Sequence, residues 1–414
     1  MAEATAPRLV DLEPDQVDIA DIDVSQRELW SENKKWGWFK RLRDEAPVHF
    51  CPDSEFGPYW SVTRFEDIME VEKNTEVFSS DPAIVIQDPE EDFTLPMFIA
   101  MDPPKHDEQR KTVQGVVAPA NLQNLEGLIR TRVQNILDSL PVGEPFNWVD
   151  LVSIELTTQM LATLFDFPFE DRRKLTRWSD VATGGPETGV VETEEQRREE
   201  LYECLAYFQR LWAERVDQEP GNDLVSMLAH GEATKDMDPM EFMGNLVLLI
   251  VGGNDTTRNS ITGGVLALNE NPGEYAKLRN NPAVIPSMVS EIIRWVTPLA
   301  HMRRTATQDY ELGGQTIKAG EKVVMWYVSG NRDERVIDRP DEFIIDRPRV
   351  RQHLSFGFGI HRCMGNRLAE MQLRILWEEI QQRFHKIEVV SEPVRVPSNF
   401  VHGYTDLEVI LHPH

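Results

Sequence analysis

Cysteine is scarce in this sequence, with three in 414 residues, at Cys51, Cys204 and Cys363. No two lie close enough in sequence to suggest a zinc site, and three thiols in so long a chain make no disulfide framework. A reducing compartment is therefore expected. A long apolar run is missing too. The most apolar stretch, residues 246–253, sits in a charge-free window covering residues 242–254, short of the ~20 residues a membrane span requires, and it reads as a buried helix. Positive charge is in deficit: 43 Lys and Arg against 70 Asp and Glu leave a net charge of −27. Such a field repels nucleic acid and anionic lipid. The first residues show no basic group followed by an apolar run, hence no secretory signal. Residues 1–25 form instead an acidic N-terminal segment (Glu3, Asp11, Glu13, Asp15, Asp18, Asp21, Asp23), expected to be loosely held. The expected location is cytoplasmic.

Repeats and dividing linkers are also absent. With 41% hydrophobic and 27% charged residues the composition is globular, and residues 26–414 read as one large, mainly α domain with minor β-structure. Residues 26–46 look helical and end before Pro47. Residues 59–63 are β-rich, and residues 65–77 return to helical spacing. Residues 81–104 carry Pro82, Pro89, Pro96, Pro103 and Pro104 with apolar residues between them, a long irregular connection of the kind that is often functional. From 105 to about 270 the pattern is almost wholly helical. A small β-section occupies 305–327, residues 331–361 show little regular pattern, and 365–384 is again helical.

The segment Phe356-Gly357-Phe358-Gly359-Ile360-His361-Arg362-Cys363-Met364-Gly365 is the most informative in the chain. A dinucleotide-binding loop fails here, because Arg362 stands where its third glycine is needed and no strand clearly precedes it. A plain turn before a helix, with Cys363 as a small apolar side chain, is the bland reading. A thiolate that binds iron explains more. Such a sulfur needs backbone amide donors, and Gly357, Gly359 and Gly365 let the backbone bend closely around it. The following helix presents its N-terminal dipole to the anion. The segment resembles the heme-binding loop of the cytochrome P-450 superfamily, with every usual fixed position filled. The resemblance implies a heme-thiolate monooxygenase fold, with heme b (iron protoporphyrin IX) as cofactor and Cys363 as the ligand to its iron. Phe356 and Gly357 would then belong to the cofactor site.

A second segment supports this. Asp238 and Pro239 read as the N-cap and first position of a helix continuing to about residue 269. Inside it lies Val251-Gly252-Gly253-Asn254-Asp255-Thr256-Thr257. Two mid-helix glycines cost about 1 kcal/mol each relative to alanine, so they need a compensating role. One possibility is close helix–helix packing. The other is a bare helix face over a heme, because Leu249, Gly252, Gly253 and Thr256 fall at i, i+3, i+4 and i+7. The Thr256 hydroxyl can bond back to the Gly252 carbonyl. The segment is similar to the superfamily's oxygen-activation motif. Carried over, that motif makes Thr256 the residue that steadies the oxygen species and Asp255 a proton relay. Asp255 lies roughly 100° around the helix from Thr256, so an indirect relay is expected.

The same resemblance implies further roles. His106, Arg110, Arg304 and His361 match the family's propionate anchors, with Arg303 as a rival to its neighbour Arg304. Glu291 and Arg294 match a scaffold pair completed by Arg347 or Arg339. Within the superfamily, residues 249–260 and 356–370 look like the bacterial alkane-hydroxylating branch, although Gly252 stands where many relatives have alanine. That branch implies terminal hydroxylation of medium-chain linear alkanes, and of fatty acids in some members. A pocket is expected from Ile86, Leu95, Met97 and Phe98 in the irregular connection, closed by Leu249, Leu299 and Met302. Electrons would come from a separate ferredoxin and its NAD(P)H-dependent reductase, docking near Arg362 and Lys111. The alternatives are a steroid or terpene hydroxylase, a heme-thiolate isomerase or dehydratase, and a heme-binding gas sensor. The Asp255–Thr256 pair speaks against the isomerase or dehydratase.

Overall fold

The charge-free window becomes the middle of a 32-residue helix, Pro239–Glu270. It begins as its sequence directs: the Asp238 side chain accepts from the Met240 N–H at 2.8 Å, and Pro239 takes the first helical position, where its missing N–H has no partner to lose. From Phe242 to Leu268 almost every side chain is buried. A helix buried on nearly every side is central, and Glu155–Phe165, Arg173–Thr183 and Ile285–Val296 pack against it. The computed structural model describes residues 7–414. It is a mostly helical domain with a minor sheet component, and among the described residues no helix is long and apolar enough to cross a membrane.

The larger sheet has five strands in the order Val48–Cys51, Tyr59–Val62, Lys322–Met325, Met302–Ala306, Phe78–Ser79. Only the pairing of Tyr59–Val62 with Lys322–Met325 is parallel. Both of these strands are buried at every residue, as expected of strands covered on two faces. The predicted helix over 26–46 is two helices, Arg27–Ser31 and Trp36–Glu45. The break contains Asn33 at φ 57°, a left-handed conformation that ends a helix.

The expectation of a loosely held acidic start is corrected. Glu3 lies outside the described residues, but Leu9, Val10, Val17, Ile22 and Val24 are buried and pack with Trp30, Trp38 and Trp326. The acidic groups between them point to solvent, and Asp23 is buried with hydrogen bonds from Ser25 and Tyr59. Composition misled because the apolar residues are spaced singly among the acids.

Irregular backbone is held by buried charge. Glu291 is fully buried and accepts from Arg294 Nε and Nη2 at 2.8 Å each and from Arg347 Nε at 3.1 Å. It also takes the Ile344 N–H at 2.9 Å. Arg294 donates onward to the carbonyls of Asn331 and Pro340, both at 2.9 Å. Arg347 therefore completes the scaffold, whereas Arg339 is exposed and bonds Glu342. Removing one partner of a buried ionic cluster leaves the others uncompensated. Glu291→Gln is expected to destabilise the fold by about 3–5 kcal/mol in urea unfolding followed by far-UV circular dichroism. A loss below about 0.5 kcal/mol, the size of an ordinary surface substitution, would contradict the role given to this cluster.

Candidate active site

The cysteine loop closes on itself through short backbone bonds. Gly357 N–H reaches the Leu354 carbonyl at 2.7 Å, and Cys363 N–H reaches the Phe356 carbonyl at 2.8 Å. Gly357 and Gly359 adopt φ +63° and +67°, a region that disfavours any side chain. A Cβ on Gly359 would also stand 2.7 Å from the Glu72 carbonyl oxygen. Gly365 departs from expectation. Its φ is −83° and a Cβ there would meet the Cys363 sulfur at 3.9 Å, an ordinary contact, so it supplies an N–H donor without needing glycine's freedom.

Cys363 lies at the floor of a cavity of about 950 Å³ and is exposed to it. Burial pushes its thiol up. The N–H groups of Gly365 and Asn366 and the charges of Arg110 and Arg362 pull it back. Burial prevails and the thiol stays raised, so a metal cation at the sulfur would be needed to displace its proton. The other two cysteines are inert by comparison: Cys51 is pushed up to about 12 by burial, and Cys204 is buried and raised by the same cause. Neither lines the cavity.

The long helix forms the opposite wall through Leu249, Gly252, Gly253 and Thr256. Of the two explanations for the glycine pair, each applies to one residue. A Cβ on Gly252 would meet nothing within 4 Å, so this position opens into the cavity. A Cβ on Gly253 would come within 2.6 Å of Leu161 Cδ2, so that glycine serves helix packing. Thr256 Oγ1 donates to the Gly252 carbonyl at 3.0 Å, as its spacing predicts. Asp255 is fully buried and off the cavity wall. Its Oδ1 pairs with Arg258 at 2.6 Å, and its Oδ2 accepts from Ser179 at 3.1 Å and Thr183 at 3.5 Å. Burial raises its carboxyl pKa, with Arg258 opposing. Thr183 itself lines the cavity, so the indirect connection expected for Asp255 has a hydroxyl in place.

Arg110, Arg304 and His361 line the same cavity. Arg303 does not rival Arg304. It turns the other way and bonds Asp88 Oδ1 at 2.6 Å, where, with Lys322, it pins the irregular connection. Burial would raise the Asp88 carboxyl, but these two cations outweigh it and hold it low. His301, forced down to about 4 by burial and hence neutral at neutral pH, accepts from Ile86 N–H at 3.1 Å. His106 is buried yet off the wall, its ring against His361 with centroids 4.2 Å apart. Burial lowers the pKa of both imidazoles, His361 to about 2.

Three buried atoms here have no partner: Arg304 Nε, His361 Nδ1 and His106 Nε2. Unpaired buried polar groups are rare and call for an occupant. Donors of this kind beside a largely apolar cavity with a thiol at its floor fit the carboxylates, macrocycle and iron of heme.

Every pocket residue expected from the sequence lines the cavity: Ile86, Leu95, Met97 and Phe98 from the irregular connection, then Leu249, Leu299 and Met302. Phe356 and Gly357 line it as well. Sequence reasoning missed the turn at residues 397–400, brought in by the Ala300 N–H bond to the Phe400 carbonyl at 2.9 Å. Nothing local marks that turn. It also missed Glu72, buried against Arg304 at 2.9 Å. A signal for Glu72 existed, since it falls at i+7 from Phe65 and i+4 from Ile68, on the apolar face of its helix.

The two glycines separate experimentally. Gly252→Ala enters open space and gains helix propensity, so it should stabilise by up to about 1 kcal/mol. Gly253→Ala forces Leu161 aside, and its overpacking cost of about 1–3 kcal/mol cancels or reverses that gain. Equal midpoints for the two variants in urea unfolding would disprove the assignment.

Comparison with known proteins agrees with this geometry. The Cytochrome P450 family matches residues 157–401. The solved structure of Cytochrome P450-153 from Novosphingobium aromaticivorans superposes with a TM-score of 0.88 at 51% identity, covering 94% of this chain and 99% of that one. Linalool 8-monooxygenase of Pseudomonas putida is 36% identical over 94% of this chain and 99% of its own length. A methyl-branched lipid omega-hydroxylase of Mycobacterium tuberculosis is 32% identical over 98% of each. With its cysteine loop, its cavity and these relatives in agreement, the chain belongs to the cytochrome P450 family of monooxygenases.

Proposed function

We propose that the protein hydroxylates the terminal carbon of medium-length linear hydrocarbon chains. The observation that carries this reading is the apolar cavity above Cys363, walled by the pinned connection together with Leu249, Leu299 and Met302. Two likenesses support it: the P450-153 structure at 51% identity, and a relative whose name specifies omega-hydroxylation of a lipid. The linalool relative favours a terpene alcohol as the second reading.

In this site Cys363 would hold the iron. Arg110, Arg304 and His361 would take the propionates, with His106 setting the His361 ring. The chemistry that heme supplies when bound is the activation of dioxygen for insertion into a C–H bond. The protein's own part is placement and protons. Thr256 Oγ1 donates its proton to the Gly252 carbonyl, so it presents acceptor lone pairs to the cavity, where they could hold a proton-donating water. Asp255 Oδ2, its carboxyl raised by burial, passes protons through Thr183 Oγ1. Terminal selectivity has to come from the walls. A methyl C–H bond is stronger than that of the neighbouring methylene, so free choice favours the inner carbon. A narrow passage that admits only the chain end reverses that preference. Electrons would arrive from a separate ferredoxin and its reductase at the cysteine-loop face. There Arg362 and Lys111 are exposed and offset the net charge of −27, which would repel an acidic partner.

Two measurements test this. Thiolate ligation gives the ferrous–CO complex a red-shifted Soret band. That band should vanish in Cys363→Ala and persist in Cys51→Ala and Cys204→Ala; the opposite pattern would refute the ligand assignment. In a system reconstituted with ferredoxin and reductase, gas chromatography of octane products should show mainly 1-octanol, and Leu299→Ala should shift the products toward inner alcohols. Mostly inner alcohols from the unmodified enzyme, or turnover of linalool alone, would remove the linear-chain reading.

A further inference from the structure

Glu72 is a carboxylate that the cavity does not touch and that packing alone does not explain. It sits near the end of the helix Phe65–Lys73 with 1% of its surface exposed. Its Oε2 accepts from Arg304 Nη2 at 2.9 Å, and its Oε1 accepts from the Tyr327 hydroxyl. Arg304 and Tyr327 are themselves buried. The cysteine loop lies directly on this residue: a Cβ on Gly357 would stand 3.4 Å from Glu72 Oε1, and one on Gly359 would stand 2.7 Å from its backbone oxygen. Burying a charge pair is costly, and well-packed apolar residues of similar size often do as well for stability. The pair therefore calls for a reason beyond the fold.

Arg304 shows what that reason is. Its Nη1 is fixed to the Arg303 carbonyl at 2.8 Å and its Nη2 to Glu72. Its Nε is buried without a partner, and the residue lines the cavity. Two of the three nitrogens are tied down, and the third is unpartnered, as is Nδ1 of His361, which lines the same cavity. We infer that Glu72 is a positioning residue for the cofactor: it orients the Arg304 guanidinium for a propionate and sets the charge beside the bound iron. The inference rests on the reading that heme occupies this cavity. A fixed anion near the iron favours the more positive ferric state, and in a poorly polarisable interior its influence is weakly screened. Without Glu72 the Arg304 cation stands uncompensated, which acts in the same direction as loss of the anion.

The test uses the heme-loaded protein and a spectroelectrochemical titration of the ferric/ferrous couple, with hemin transfer to apomyoglobin as a second readout. Glu72→Gln keeps the shape and removes the charge. It should move the potential to more positive values. Glu72→Asp keeps the charge and should hold the potential near that of the parent protein. Glu72→Ala, which frees Arg304, should release hemin several-fold faster than the parent. An unmoved potential in Glu72→Gln, or an equal shift in Glu72→Asp, would overturn the inference. A parent protein that takes up no heme would instead defeat the cofactor reading on which the inference rests, so the two failures are distinguishable.

Discussion

Between the short helix ending at Gly330 and the helix beginning at Asn366, the chain has almost no regular structure, yet this stretch carries Cys363. A segment without ladders of its own has to satisfy its backbone elsewhere. Here the fully buried Glu291 carboxylate fixes two guanidinium groups, and their remaining N–H donors take up the carbonyls of Asn331, Pro340 and Glu342. One acid on a helix thus orders an irregular loop through two arginines. The position of the sulfur, and so the floor of the cavity, depends on it.

The same device recurs around the cavity. The connection at 81–104 is irregular along most of its length, but Arg303 and Lys322 hold its Asp88 and the Ile86 carbonyl, and a neutral His301 takes the Ile86 N–H. Asp255 and Arg258 tie the long helix to Asp180 on the helix Arg173–Thr183. These buried pairs differ in kind from the many surface pairs such as Lys40–Asp44, each worth little in water. The large acidic excess of the chain is carried mostly on the outside, and the interior uses charge sparingly, where backbone has to be held without helix or strand. The proposed terminal selectivity would need walls fixed in this way, because a mobile loop could not keep a chain end in place.

Burial also separates the roles of similar groups. Three cysteines share one chemistry, but two are sealed in apolar packing and one sits among backbone N–H donors and arginines at the cavity floor. Two adjacent glycines share one flexibility, but one faces space and the other faces Leu161. Residue type alone assigns the roles in neither group.

Much of the site was legible because its signals are local. The N-cap at Asp238 and the bond from Thr256 to the Gly252 carbonyl follow from spacing within a few residues, over which hydrogen bonds and helical faces are determined by the chain itself, and the loop around Cys363 was legible through a family resemblance carried by ten consecutive residues. Tertiary structure decided the rest. Which of Arg303 and Arg304 reaches the cavity depends on strand register, with Arg304 opposite Val323, and a shift of one residue would exchange the two faces. The choice of Arg347 over Arg339, the buried place of Glu72, the turn at 397–400 and the packing of residues 9–24 under Trp30 and Trp326 depend likewise on partners far away in sequence. Side-chain type and local period set which surfaces an element offers, but the element that meets each surface is selected only when the whole chain closes around its core.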